Sequence, residues 1–320
     1  MTLTQWLRRG MAALASCLFL FTSAHAEAPP SKATPCGFYR MMLGDFEVTV
    51  LSDGTLALPA GKILSHTTPA KVAKALARDF LADPVETSVN AFLINTGTKL
   101  VLVDTGAGTL FGATLGKLAE SLKAAGYQPE QVDDILITHM HGDHIGGLMA
   151  GDKLAFPNAT VHADQHDVDF WLSQAKMDAA PEQMKDFFRG AMAMINPYMA
   201  AGKLKPFDGD VTLLPGVSAK AARGHTPGHS VYVIESKGQK LVLWGDLMHV
   251  ASVQFPDPSV TIQFDTDTKA AAAQRKLAFA DAARKGYWVG AAHLAFPGIG
   301  HLRSEAKGYA WVPANYAPPH

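Results

Sequence analysis

Cysteine is nearly absent from this chain: there are two in 320 residues, Cys17 and Cys36. If a leader containing Cys17 is removed, no intramolecular disulfide can form, and the fold must rest on its core and on any bound metal. An excess of one charge is equally missing. Lys and Arg number 28 and Asp and Glu 29, a net charge of −1. Loss of Arg8 and Arg9 with the leader would make it about −3, which gives no basic footprint for nucleic acid and suits a small, neutral substrate. No apolar run reaches the roughly 20 residues that a membrane-crossing helix needs. Hydrophobic residues are 48% and charged residues 18% of the chain, so it is built to fill a core rather than to stay disordered.

The N-terminus reads as an export signal. Arg8 and Arg9 precede the apolar stretch 11–21, and Ala24-His25-Ala26 fits a small-x-small cleavage pattern. The expectation is a signal peptide at 1–26, a periplasmic or secreted product, an Ala-, Pro- and Ser-rich arm at 27–40, and one folded domain over 41–320. Nothing within 41–320 reads as a linker.

Along that domain, 46–50 alternates as a strand, and Asp53-Gly54 is a hairpin signal before Leu56 and Leu58. Strands follow at 89–95 and 100–103. A helix is expected over 115–125, ending at Gly126. Further strands fall at 134–138 and 159–163, with helices at 164–173 and 181–195. The second half repeats the theme, with strands near 211–214, 217–222, 231–236 and 240–244, a helix over 268–285, and strands at 287–292 and 308–312. Strand-rich halves that each close with helices predict an α+β fold, two sheets face to face with helices outside.

The chemistry concentrates in Thr138-His139-Met140-His141-Gly142-Asp143-His144. Extended backbone alternates its side chains, so His139 and His141 point the same way, and the turn after them can bring Asp143 and His144 back to the same place. Imidazoles and carboxylates are ligands of Zn²⁺ and similar divalent ions. Other candidates also follow expected strands: Gly224-His225-Thr226-Pro227-Gly228-His229, then Gly245-Asp246, then Ala292-His293. Four strand-end segments converging on one sheet edge is how such scaffolds build sites. Spacing alone does not choose between His225 and His229.

This order of motifs, together with Val103-Asp104-Thr105-Gly106, resembles the metallo-β-lactamase superfamily over about residues 41–320. The resemblance implies an αββα sandwich with two mixed sheets and two divalent metal ions at one edge. Zn is the first choice, with Mn, Co or Fe accepting the same ligands. By the same resemblance, His139, His141 and His225 hold one ion, Asp143, His144 and His293 hold the other, and Asp246 bridges them. His229 becomes a hydrogen-bonding partner outside the ligand set.

Several stretches are similar to the methyl parathion hydrolase family: Tyr39-Arg40-Met41, 43–47, 123–132, 170–174 and 293–300. That family comprises exported, homodimeric, binuclear hydrolases of organophosphate triesters, with relatives acting on lactones and aryl esters. Its aromatic pocket maps here to Phe111, Trp171 and Phe187. In its phosphotriesterases arginine stands at Ile63, leucine at His249 and Phe264, and threonine at Ile262. The larger His249 and Phe264 narrow the slot, which favours a flat lactone or aryl ester over a tetrahedral phosphotriester. The expected activity is therefore hydrolysis of lactones or aryl esters, dihydrocoumarin-like compounds among them. The attacking water is acidified between the two ions, and Asp143 relays a proton. Organophosphate triester hydrolysis is the alternative. A β-lactamase ranks lower because of Asp246, and a non-catalytic metal-binding module ranks lower because of the apolar pocket. The expected partners are a small neutral ester or lactone and a second copy of the chain, with no nucleic acid and no membrane span.

Overall fold

The computed structural model describes residues 37–316. The expected signal peptide and the expected arm as far as residue 36 lie outside the described residues. Residues 38–40 do not belong to an arm: they open the first strand. The Pro-rich composition just upstream hid that strand, whose support comes from its hairpin partner.

Spatial order follows chain order in both seven-stranded sheets. The first contains β1 (Phe38–Leu43), β2 (Phe46–Leu58), β3 (Val85–Asn95), β4 (Leu100–Val103), β5 (Asp134–Leu136), β6 (Thr160–Asp164) and β7 (Leu204–Phe207). Its first four strands are antiparallel and β4 to β7 are parallel. The second contains β8 (Val211–Leu214), β9 (Val217–Ala221), β10 (Ser230–Ser236), β11 (Gln239–Leu243), β12 (Trp288–Gly290), β13 (Ile299–Ser304) and β14 (Tyr309–Pro313). Here only β11 and β12 run parallel.

The side-chain period of two explains the layering. In β4, Val101 and Val103 face the core between the sheets, while Leu100 and Leu102 face the helices outside. A strand buried on both faces must be apolar throughout, and Leu100-Val101-Leu102-Val103 is. The outer core of the first sheet packs on α2 (Leu118–Ala124), α3 (Gln165–Trp171) and α4 (Glu182–Ala200); α1 (Pro69–Arg78) packs in a separate apolar cluster. The buried positions of α4, namely Phe188, Ala191, Ile195 and Tyr198, keep one helical face inward. The second sheet packs its outer face on α5 (Thr268–Lys285), capped by the Asp267 carboxylate and stopped at Gly286 in the left-handed conformation. The layers are helix, sheet, sheet, helix, as an αββα sandwich requires.

The Asp53-Gly54 hairpin does not form. Residues 46–58 make one strand with a bulge between Ser52 and Gly54. Glycine with φ of +119° serves a bulge as well as a turn. A Cβ at Gly54 would lie 2.1 Å from the Thr114 carbonyl oxygen. The bulge turns Asp53 into the interior, where it accepts hydrogen bonds from the backbone N–H groups of Ala107, Gly116 and Leu118. Strands β7 and β13 and helix α1 carried no sequence signal that singled them out. No helix among the described residues is long and apolar enough to cross a membrane.

Candidate metal centre

Parallel strands release their C-terminal ends at one edge, and the chemistry gathers there. After β5 the chain stays extended through His141, which precedes the one-turn helix Gly142–Ile145 carrying Asp143 and His144. The His139 and His141 ring centroids are 4.6 Å apart. The loop between β9 and β10 supplies His225 and His229, the end of β11 supplies Asp246, and the segment after β12 supplies His293. Gly245, with φ of +53°, allows the close approach: a Cβ there would sit 2.8 Å from Thr138 Cβ and 2.9 Å from His229 Nε2.

Asp246 lies at the centre. Its Oδ1 is 3.2 Å from both His144 Nε2 and His293 Nε2, and its Oδ2 is 3.3 Å from His225 Nε2 and 3.6 Å from His139 Nε2. His141 Nδ1 is 3.1 Å from His225 Nε2, and Asp143 Oδ2 is 3.5 Å from His293 Nε2. Three overlapping groups at this edge have donor atoms close enough to share an ion: His139, His141, His225 and Asp246; Asp143, His144 and His293; and Asp246, His249 and His293.

Outer partners fix the imidazoles. His144 Nδ1 donates to Asp104 Oδ2 at 2.8 Å, His225 Nδ1 to Asp265 Oδ1 at 2.8 Å, and His293 Nδ1 to the Ser88 carbonyl at 3.0 Å. His139 Nδ1 donates to Thr138 Oγ1, which donates onward to Asp104. Each arrangement occupies Nδ1 and turns Nε2 inward, where a metal ion could replace any proton it carries. His229 also donates from Nδ1, but its Nε2 is already taken. Its Nε2 accepts the Asp246 N–H at 3.0 Å and its Nδ1 donates to the Ala222 carbonyl, so it has no lone pair to offer. This geometry separates His225 from His229, which spacing left undecided.

Charge follows burial and neighbours. Burial holds the His139 and His141 imidazoles well below their usual value and takes His229 down to about 3. Burial also lowers His225, but its bonds to Asp246 and Asp265 outweigh this and push it up to about 9. Burial opposes ionisation of Asp246, yet His144, His293, His249 and His139 around it hold its carboxyl well below the usual range. A divalent cation entering here would displace protons held between these histidines and Asp246.

The donors fit that occupant. The Nε2 atoms of His139 and His144 and Oδ1 of Asp246 are buried without a hydrogen-bond partner among the described residues, while His141 turns Nδ1 toward His225. Buried polar atoms left unpaired in this way cost free energy unless something binds them. Imidazole nitrogens and carboxylate oxygens around two adjacent points suit two divalent cations.

The cavity above is narrow, about 100 Å³, and lined by Leu56, Leu58, Thr87, Phe111, Phe187, His249 and Phe264 over the site residues. Of the expected pocket residues, Phe111, Phe187, His249 and Phe264 line it. Trp171 does not; it is fully buried beneath, edge-on to His141 with centroids 5.4 Å apart. Ile63 and Ile262 also lie off the wall, inside an apolar cluster with Val72, Leu76 and Val250. Leu56, Leu58 and Thr87 were missed, because strands β2 and β3 gave no hint that their ends reach the site. His249 Nε2 lies 3.0 Å from Asp246 Oδ2, and its ring stacks on His293. The supporting acid Asp265 carried no local signal; Asp104 was visible only as part of a motif.

The Metallo-beta-lactamase superfamily model matches residues 84–293. A curated ribonuclease from Thermus thermophilus is 30% identical over 177 residues, 55% of this chain and 38% of that protein. An N-acyl homoserine lactonase from Bacillus cereus is 29% identical over 171 residues, 48% of this chain and 60% of that protein. The chain thus spans only about 38% to 60% of the length of these curated relatives. Solved structures match more fully. The hydrolase AbOPH is 36% identical with a TM-score of 0.85, covering 89% of this chain and 100% of that one. AidC, a dizinc quorum-quenching lactonase in complex with a product N-hexanoyl-L-homoserine, is 31% identical with a TM-score of 0.82, covering 88% and 99%. By its matched family model, its αββα layering and its edge cluster of histidines and aspartates, this chain belongs to the metallo-β-lactamase superfamily.

Proposed function

We propose that the protein is a binuclear metal-dependent hydrolase that opens lactones, N-acyl homoserine lactones among them, or cleaves aryl esters. The observation that carries this reading is the Asp246 carboxylate set between two histidine clusters at the floor of a narrow apolar slot. His139, His141 and His225 would hold one cation, Asp143, His144 and His293 the other, with Asp246 shared. When bound, such a pair acidifies water and polarises the substrate carbonyl.

The remaining work falls to the chain. Phe111, Phe187 and Phe264 exclude water and clasp a flat acyl or aryl group. Asp143, the ligand with the most exposed side chain at 16%, faces the slot and can pass a proton to a leaving alkoxide; a phenolate needs less help. Phe111 and Phe187 also line a second, open chamber of about 510 Å³ along Gly190 and Ala193 of α4. That chamber is large enough for an acyl tail next to a ring held in the slot, in keeping with a lactone of the kind whose product AidC binds.

Organophosphate triester hydrolysis is the second reading, favoured by the aromatic pair Phe111 and Phe187. Against it, His249 and Phe264 both line the slot and add bulk where a tetrahedral centre needs room. Export and a homodimer, resting on the leader pattern and the family resemblance, complete the proposal. A panel of dihydrocoumarin, phenyl acetate, N-hexanoyl homoserine lactone and methyl parathion, run on zinc-loaded protein, tests it. The largest kcat/KM is expected for a lactone or aryl ester and should vanish in His139→Ala. Methyl parathion at the head of the ranking would promote the second reading.

A further inference from the structure

Asp167 takes no part in any of these donor clusters and lies in the first turn of α3, yet it is 1% exposed. Its Oδ2 accepts the Met140 N–H at 2.9 Å and the Thr226 hydroxyl at 2.9 Å, and its Oδ1 accepts the Gly228 N–H at 2.6 Å. Met140 stands between His139 and His141, and Thr226 follows His225. One carboxylate therefore grips two loops that leave different sheets. Gly228 is shaped for the grip, since a Cβ there would lie 2.5 Å from the Asp167 backbone nitrogen.

We infer that Asp167 is a positioning residue that fixes the distance between the His139–His141 pair and His225, and so builds one of the two cation sites selectively. The loops also touch lower down, where Ser230 N–H donates to the Thr138 carbonyl and Tyr232 Oη to the Ile137 carbonyl. Those bonds join the strand bases. Asp167 acts at the level of the imidazoles, where His141 Nδ1 and His225 Nε2 are 3.1 Å apart. In the neighbouring group, His144 is braced by Asp104, which also reaches His139 through Thr138, and His293 by the Ser88 carbonyl; Asp167 makes no hydrogen bond to that group. A purely structural carboxylate would weaken both cation sites together when replaced, whereas a positioning residue splits them.

This inference rests on the binuclear reading but on no substrate. Metal-free wild type and Asp167→Asn are titrated with Zn²⁺ against a chromophoric chelator, and with Co²⁺ by absorbance. Wild type should take two ions. Asp167→Asn should lose about 10–100-fold in affinity at one site, the range seen when a partner of metal ligands is lost, while the other site stays within about threefold. Equal loss at both sites, or no loss at either, overturns the inference. Should Asp167→Asn fail to fold, Thr226→Val removes one of the three bonds, and the same split on a smaller scale decides the matter. Wild type that binds fewer than two ions would overturn the binuclear reading as well. A clean split without lactone turnover would leave this inference standing and remove only the substrate assignment.

Discussion

Asp104→Asn is a searching perturbation, because it changes chemistry without changing shape. Asp104 is buried and accepts three hydrogen bonds of 2.8 Å, from Thr138 N, Thr138 Oγ1 and His144 Nδ1. Its φ is +60°, a conformation that asparagine tolerates as well as aspartate, so backbone strain cancels. Asparagine offers one oxygen where the carboxylate offered two. With that oxygen facing Thr138 Oγ1 and His144, the amide nitrogen faces the Thr138 N–H, which is stranded at a cost of about 1–3 kcal/mol. The two remaining bonds lose their charge assistance, about 1 kcal/mol each. The sum is about 3–5 kcal/mol, which lowers the Tm of the metal-free protein by about 5–8 °C for a domain of this size. The bond that orients His144 survives only in a weaker, neutral form, so affinity for one ion should fall about 10-fold, the low end of the range for altered partners of metal ligands. Calorimetry of the metal-free protein and chelator competition measure the two effects separately. An unchanged Tm would refute the bonding, and a metal affinity within twofold of wild type would refute the claim that Asp104 orients a ligand.

Three further outcomes are expected. Removing metal with a chelator should abolish ester and lactone hydrolysis and lower Tm, by about 2.7 kcal/mol of stability for each ion held at a hundred times its Kd; Zn²⁺, Mn²⁺ or Co²⁺ should restore both, and activity surviving exhaustive chelation would contradict the site. Gly245→Ala should cripple folding or activity, since its Cβ would collide with Thr138 and His229, whereas Gly286→Ala at the end of α5, with φ of +66° and nothing within 4 Å, should cost only about 1–2 kcal/mol; comparable Tm losses would refute the contrast. The Asp134 carboxyl is held below its usual value, first by the His162 bond at 2.9 Å and then by Lys99. Because its folded value lies below its unfolded one, its contribution is present above about pH 4 and is lost as pH falls through the folded value. The Tm gap between wild type and Asp134→Asn should therefore stay open from pH 5 to 7 and close below 4; a gap constant down to pH 3 would refute this.

How much of this was legible in the sequence depended on range. The 138–144 cluster could be read because its geometry is local: alternation sets His139 beside His141, and one helical turn returns Asp143 and His144. The supports could not. Asp104 meets His144, and Asp265 meets His225, across 40 positions each, and no short-range rule links them. Asp53-Gly54 was misread because a turn and a bulge ask for the same glycine. The expected arm at 27–40 overlaps the first three residues of β1, because the evidence for that strand lies in its partner rather than in itself. Trp171, Ile63 and Ile262 were assigned to the pocket by resemblance, which conveys alignment but not depth.

Sheet order that follows chain order has a further consequence. Residues 38–207 build one sheet and bring His139, His141, Asp143 and His144; residues 211–313 build the other and bring His225, Asp246 and His293. Neither half owns a complete set of donors. Two cations seated on Asp246 would act as rivets through the seam, so the free energy of binding them is also free energy of docking one half on the other. Metal would then add to the apolar core between the sheets in holding the halves together, and metal starvation should loosen the seam at this edge first.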